Sequence, residues 1–181
     1  MQTPDLDVRF LLGIDPGTET GLAAVSADDT RAVLFVGSAG PLATARRLEA
    51  WAADGRHVGG CLEDTRSLPV YARHRGAGRG ERDRIARSVG AVDLLTTIYA
   101  DLLASLGVPV ALAPPVRAAT WDAETAARLT GYAGRTNEHG RDALRHVYGR
   151  RFHALPTEGG GLTSDTAPTP CPETPAPTSP A

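Results

Sequence analysis

Three carboxylates and one imidazole stand where their chemistry can combine: Asp15, Glu63, Asp142 and His139. Asp15 ends the apolar run 8–14 and is followed at once by Pro16-Gly17, so the chain turns and the carboxylate stands at the open end of a strand. Glu63 closes a second apolar run, 57–62, in the equivalent place. His139 and Asp142 are three residues apart, which puts them on one face of a helix, within its first turns, where the helix N-terminus favours ionised carboxylates. If the two strands are neighbours, the acids converge on one pocket. Oxygen-rich sites of this kind suit Mg²⁺ or Mn²⁺, and two such ions about 4 Å apart activate water and stabilise the leaving oxygen in phosphodiester cleavage. Taken singly, each residue also has a bland role: Asp15 capping a turn, Glu63 pairing with an arginine, His139 and Asp142 on a solvated helix face.

The elements that must position these groups follow from apolar spacing. Runs 8–14, 21–25 and 32–36 are separated by Asp-Pro-Gly-Thr and Ala-Asp-Asp-Thr, which is turn chemistry, so they read as an antiparallel meander. A helix over 41–53, with Leu42, Ala45, Leu48 and Ala52 on one face, precedes an interior strand over 57–62 parallel to the first. From Arg84 to Leu106, Ile85, Val89, Val92, Leu95, Tyr99, Leu102 and Leu106 recur at intervals of three and four, and Gly107 closes that helix. A fifth strand over 108–113 stops at Pro114-Pro115. Residues 117–130 form a short helix, and Asn137 caps a last one through about Tyr148. The order βββαβαβαα predicts an α/β protein of the ribonuclease H-like fold, a mixed five-stranded sheet flanked by helices.

Of 14 prolines, seven follow residue 155, and residues 154–181 are rich in Pro, Thr, Ser and Gly. Such a segment buries too little apolar surface to offset its ordering entropy. The expectation is one nuclease-like domain over 1–153 and a disordered C-terminal tail over 154–181. All 19 basic residues of the chain are arginine, which biased codon usage explains more simply than a demand for guanidinium groups. The two cysteines, Cys61 and Cys171, have no metal-ligand spacing and make no disulfide framework, which fits a reducing compartment. No signal-like N-terminus and no run of 18 apolar residues is present, so the expected location is the cytoplasm, with no membrane partner.

The run Leu11-Leu12-Gly13-Ile14-Asp15-Pro16-Gly17-Thr18 resembles the first-strand motif of the RuvC-type Holliday junction resolvases, a family of the ribonuclease H-like superfamily. Glu63 ends a strand as that family's glutamate does, and Ile85-Ala86-Arg87-Ser88-Val89-Gly90 is similar to its Gln-Ala-Arg-Gly helix segment. Leu129-Thr130-Gly131-Tyr132 is similar to its Thr-Gly-Tyr stretch. His139-Gly140-Arg141-Asp142-Ala143-Leu144 is similar to its closing His-or-Asp, x, x, Asp-Ala motif. The resemblance runs from about residue 10 to 149. It implies a two-metal site of Asp15, Glu63, His139 and Asp142 using Mg²⁺ or Mn²⁺, with His139 as ligand or proton relay. It further implies branched DNA as substrate, cut to 5′-phosphate and 3′-hydroxyl ends, and a homodimer whose two sites cut symmetry-related strands. The 84–106 helix then offers a dimer surface along one edge.

Between Glu63 and that helix lies an arginine-rich stretch, 64–87, in which seven arginines face Asp64, Glu81 and Asp83. A glycine-bearing basic segment beside a metal site is where a phosphate backbone would be gripped, and Arg66, Tyr71, Arg73, Arg75, Arg79 and Arg82 are the candidate DNA-binding residues. The bland alternative is a solvated loop. The family often places an aromatic wedge shortly after the glutamate. Here Arg66 occupies that distance, and Tyr71 is the nearest aromatic ring. No lysine exists to match the family's active-site lysines, and Arg135 or Arg117 would supply positive charge instead. Asp64 and Glu138 are neighbouring acids able to stand in. Three other readings remain: a nuclease of the same fold acting on flaps, forks or RNA-containing duplexes; a DNA-binding domain without catalysis; and an actin-like ATP-binding protein. The last rests on the first motif alone and lacks the second phosphate motif.

Overall fold

The computed structural model describes residues 9–28, 30–67, 78–115 and 121–148. The expected tail and the candidate nucleic-acid-contacting positions Tyr71, Arg73, Arg75 and Arg117 lie outside the described residues, as do the side chains of Arg79 and Arg82.

Five strands form one mixed sheet: β1 (Phe10–Asp15), β2 (Thr20–Ser26), β3 (Val33–Ala39), β4 (His57–Glu63) and β5 (Val110–Ala113), in the spatial order β3-β2-β1-β4-β5. The first three make the antiparallel meander that their turn residues dictate, and β4 and β5 add in parallel beside β1. Among the described residues, four α-helices complete the fold: α1 (Pro41–Ala53), α2 (Arg79–Ser105), α3 (Ala123–Thr130) and α4 (Glu138–Val147).

Successive strand side chains point to opposite faces, and this alternation sorts β1 cleanly. Phe10, Leu12 and Ile14 join Leu22, Leu48, Trp51, Leu62, Tyr99 and Leu103 in a core under α1 and α2. Leu11 faces the other way, with Ala23 and Val25 of β2 and Ala143, Leu144 and Val147 of α4. Gly13 also faces α4, and Asp15, two residues on, continues that side. On β4, Leu62 packs under α2, so Glu63 shares the α4 side with Asp15. The pleat therefore delivers both acids to one face of adjacent strands.

Three expectations are corrected by the packing. The buried face of α1 is Thr44, Arg47, Leu48 and Trp51, while Leu42 is 67% exposed. The indole decides this: Trp51 stacks edge-on against both Phe10 and Phe35, at 5.4 and 5.6 Å between centroids, and burying so large a ring outweighs burying Leu42. The Arg47 guanidinium comes in with it, 5.0 Å from the Phe35 ring. Second, α2 begins at Arg79, not Arg84, so the end of the arginine-rich stretch is helical. Third, α3 begins at Ala123, with Asp122 accepting from the Thr125 amide as its cap; residues 116–120 lie outside the described residues.

By length and composition alone, Asp83–Ser105 of α2 is apolar enough to cross a membrane, with a hydropathy of 1.2. Yet Thr96, Tyr99 and Leu103 are buried in the core, and Tyr99 hydrogen-bonds Thr20 at 2.8 Å. This helix is thus packed on the sheet through one face.

Candidate active site

Asp15 and Glu63 end neighbouring parallel strands, whose paired residues run up to Ile14 opposite Leu62. Above them lies α4. Its start is fixed by Asn137, whose side-chain carbonyl accepts the Gly140 amide at 2.9 Å, an N-cap that satisfies one of the open amides of the first turn. The Asn137 amide group donates to Ser38 Oγ on β3, and Ser38 Oγ in turn donates to Glu19 in the β1–β2 turn. One residue therefore both starts the helix and ties that start to two parts of the sheet.

The approach of α4 to the sheet is backbone to backbone. A Cβ on Gly13 would collide with the Ala143 carbonyl, and one on Gly21 with the His139 carbonyl. Glycine at both places lets the helix lie low enough to bring His139 and Asp142 down to the strand ends.

His139 Nδ1 stands 3.5 Å from Asp15 Oδ2. The Asp15 carboxyl is pushed up to about 7, first by burial, then by the nearby charges of Glu63 and Asp142, with His139 pulling the other way. Three carboxylates from β1, β4 and α4 thus share one electrostatic site. Two of them have basic partners on α4 as well: His146 Nε2 meets Glu63 Oε2 at 2.6 Å, and Arg145 Nη1 meets Asp142 Oδ1 at 3.3 Å. Among the described residues, no three His, Cys, Asp or Glu side chains are gathered into a ready cation cage. The donor set nevertheless fits a hard divalent cation: carboxylate oxygens in excess, and mutual repulsion at Asp15 that a cation would relieve.

The remaining candidates divide. Arg66 is drawn onto Asp64 by Nε and Nη2, at 2.7 and 3.0 Å, while its Nη1 donates to Thr97 of α2 at 3.1 Å. It is thus bound to the body of the protein through most of its donors, and Asp64 is engaged with it rather than with the other acids. That pairing holds the Asp64 carboxyl below its ordinary range. Arg135 is exposed in the loop two residues before Asn137, and Glu138 is exposed at the first position of α4. Gly131 closes α3 in the left-handed conformation, φ 71°, and the Tyr132 amide donates to Thr130 Oγ1, so the Thr-Gly-Tyr stretch is a helix stop. Arg141 donates to the Trp121 carbonyl at 2.6 Å and to Thr136, which anchors the loop ahead of α4. Sequence reasoning missed His146. Its signal was spacing: His139, Asp142 and His146 fall at i, i+3 and i+7 of one helix face.

No protein-family model matches this chain, and no curated protein matches it significantly. Among solved structures, Thermus thermophilus RuvC in complex with a Holliday junction substrate matches at 18% identity and a TM-score of 0.51, covering 77% of this chain and 90% of that one. The fold is RuvC-like. A second structure, of Thermus thermophilus RuvC, matches at 18% identity and a TM-score of 0.43, covering 76% of this chain and 90% of that one. In this RuvC-like fold the strand order, the parallel β1–β4 pair and α4 across their ends are the features that gather the acids.

Proposed function

We propose that this chain is a divalent-metal-dependent endonuclease of branched DNA, resolving Holliday junctions in recombination or repair. The observation that carries the reading is the convergence of Asp15 and Glu63, at the ends of β1 and β4, with Asp142 in the second turn of α4, where burial first and the charges of Glu63 and Asp142 next lift the Asp15 carboxyl to about 7. The RuvC-like fold supports it, since a solved structure of similar fold is a RuvC in complex with a Holliday junction substrate.

Asp15, Glu63 and Asp142 would hold Mg²⁺ or Mn²⁺, which when bound would supply an activated water and charge stabilisation for the departing 3′ oxygen. His139, beside Asp15, is the fourth ligand or takes the proton from the attacking water. Arg135, exposed before α4, offers a charge-assisted hydrogen bond to the scissile phosphate. Arg84 and Arg87, exposed on the first turns of α2, extend a basic surface for the backbone. Two copies pair through α2, where Leu94 and Ile98 present apolar surface to solvent.

One observation favours keeping a wider substrate range in view. Arg66, at the distance where the resembled family often has an aromatic wedge, is bound to Asp64 and Thr97. Flaps and forks therefore belong in the assay. End-labelled four-way junctions, flaps, forks and linear duplex are incubated with Mg²⁺ or Mn²⁺, using the wild type, Asp15→Asn and Glu63→Gln. Paired nicks near the branch that either substitution abolishes, with DNA binding retained, support the resolvase. Cleavage confined to flaps or forks moves the reading to those substrates, and no cleavage of any DNA in either metal overturns it.

A further inference from the structure

His146 lies on α4 beyond the residues that carry the proposed chemistry, and its surroundings are unusual for a histidine. The residue is 1% exposed, among Ala143, Leu144 and Val147 on the helix face that packs on the sheet. Its Nε2 is 2.6 Å from Glu63 Oε2, and its Nδ1 is buried with no hydrogen-bond partner among the described residues. A carboxylate oxygen only accepts, so Nε2 carries the hydrogen and donates it. The whole of the ring's hydrogen bonding is then spent on one oxygen of one acid. A leucine or phenylalanine would fill the same space without burying an unpaired nitrogen, so packing alone does not account for an imidazole here.

We propose that His146 is a positioning residue: its Nε2–H fixes the Glu63 carboxylate at the end of β4 by engaging Oε2, which leaves Oε1 the freer oxygen for a cation. This rests on the metal-dependent reading above and deepens it, by giving Glu63 a preferred oxygen and an orientation set from α4. The consequence is mechanical. Asp142, His139 and His146 share one face of α4, so the helix that brings two candidate ligands to the site also aims a third, and any shift of α4 against β4 is felt at all of them. Buried partners that orient a metal-binding carboxylate typically change metal affinity about 10- to 100-fold when removed.

The test uses the full chain without DNA and reads Mn²⁺ binding by calorimetry alongside thermal unfolding. His146→Leu keeps the volume and removes the donor; His146→Gln places an amide N–H near the position of Nε2. The expected result is Mn²⁺ affinity lowered at least 10-fold in His146→Leu and largely restored in His146→Gln. Equal weakening in both, or wild-type affinity in a folded His146→Leu, overturns the role. Should the leucine variant not fold, wild-type protein with ¹⁵N-labelled histidine decides: the His146 ring signals show the Nε2–H tautomer and move as Mg²⁺ is titrated in, and signals that stay fixed while Mg²⁺ binds overturn it. A wild type that takes up neither metal brings down the metal-dependent reading itself, an outcome separate from wild-type binding that ignores His146.

Discussion

Gly13 on β1 lies directly beneath the backbone carbonyl of Ala143 on α4, with no room for even one methyl group between them. Asp15 is two residues along the strand from that contact and Asp142 is the residue before Ala143, so the depth of the helix sets the separation of the two acids. Gly13→Ala must lift α4 or bend β1. The expected cost is about 2 to 3 kcal/mol of stability, as for other overpacked interiors, together with loss of metal-dependent cleavage. Gly21→Ala, under the His139 carbonyl, acts at the other end of the same seam. Chemical denaturation and cleavage assays check both, and wild-type activity in either variant would show that the close approach is not needed.

The crowding at Asp15 has a signature in solution that needs no substrate. In the unfolded chain its carboxyl loses its proton near 4, whereas in the folded protein it holds the proton to about 7. Over that interval the folded state binds more protons, so stability falls as pH rises from about 4 to 7, by up to about 4 kcal/mol at roughly 1.4 kcal/mol per pH unit. Asp15→Asn removes the penalty, and in metal-free buffer at pH 8 it should melt above the wild type. Mg²⁺ or Mn²⁺ should raise the wild-type melting temperature more at pH 8 than at pH 5, and leave Asp15→Asn almost unmoved. A variant that melts below the wild type at pH 8 contradicts the repulsion.

Asn137 joins helix start and sheet. Removing a side-chain cap costs about 1 kcal/mol, and Asn137→Ala also cuts the link to Ser38 and Glu19. Since His139 and Asp142 ride on the first turns of α4, the expected loss in turnover exceeds what 1 kcal/mol of stability explains. Asn137→Asp keeps the cap acceptor but places a second carboxylate against Glu19, so it should restore the helix start and not the tether. Thermal unfolding separates the two effects: Asn137→Asp recovering stability without recovering cleavage is the expected pattern, and full recovery of both would leave the tether without a role.

Much of this arrangement is legible in the sequence because turn chemistry and pleat are local. Asp-Pro-Gly-Thr after an apolar run fixes both the end of β1 and the place of Asp15 at it. A second run ending at Glu63 reads as an interior strand because it is apolar throughout, and parallel pairing with β1 follows. Asn137 announces α4. Other features depend on partners distant in sequence. The first turns of α2 carry arginines and glycine but no apolar stripe, so their helicity has no periodic signal. The rotation of α1 is set by Trp51 meeting Phe10 and Phe35 across the sheet. Arg66 reads as a charge for phosphate until Asp64 and Thr97 are seen to hold it. His146 hides in an apolar helix face, and only the folded chain brings Glu63, 83 residues earlier, to its Nε2.

The outer face of α2 supplies the last expectation. Leu94 and Ile98, one helical turn apart, are 60% and 45% exposed, while Tyr99 and Leu103 on the opposite side fill the core. Adjacent exposed apolar side chains on a helix whose other face is satisfied favour burial against another surface. A second copy of this chain fits the proposed activity, because paired nicks on a four-way junction require two sites related by a two-fold axis. Replacing both with charge, Leu94→Asp with Ile98→Asp, leaves the core contacts of α2 intact. It should therefore convert a dimer to a monomer at unchanged helix content, measured by sedimentation velocity and circular dichroism. The monomer should then nick one strand of a junction rather than a symmetry-related pair. A wild type that sediments as a monomer at tens of micromolar, or a double variant that remains dimeric, removes this face from the interface.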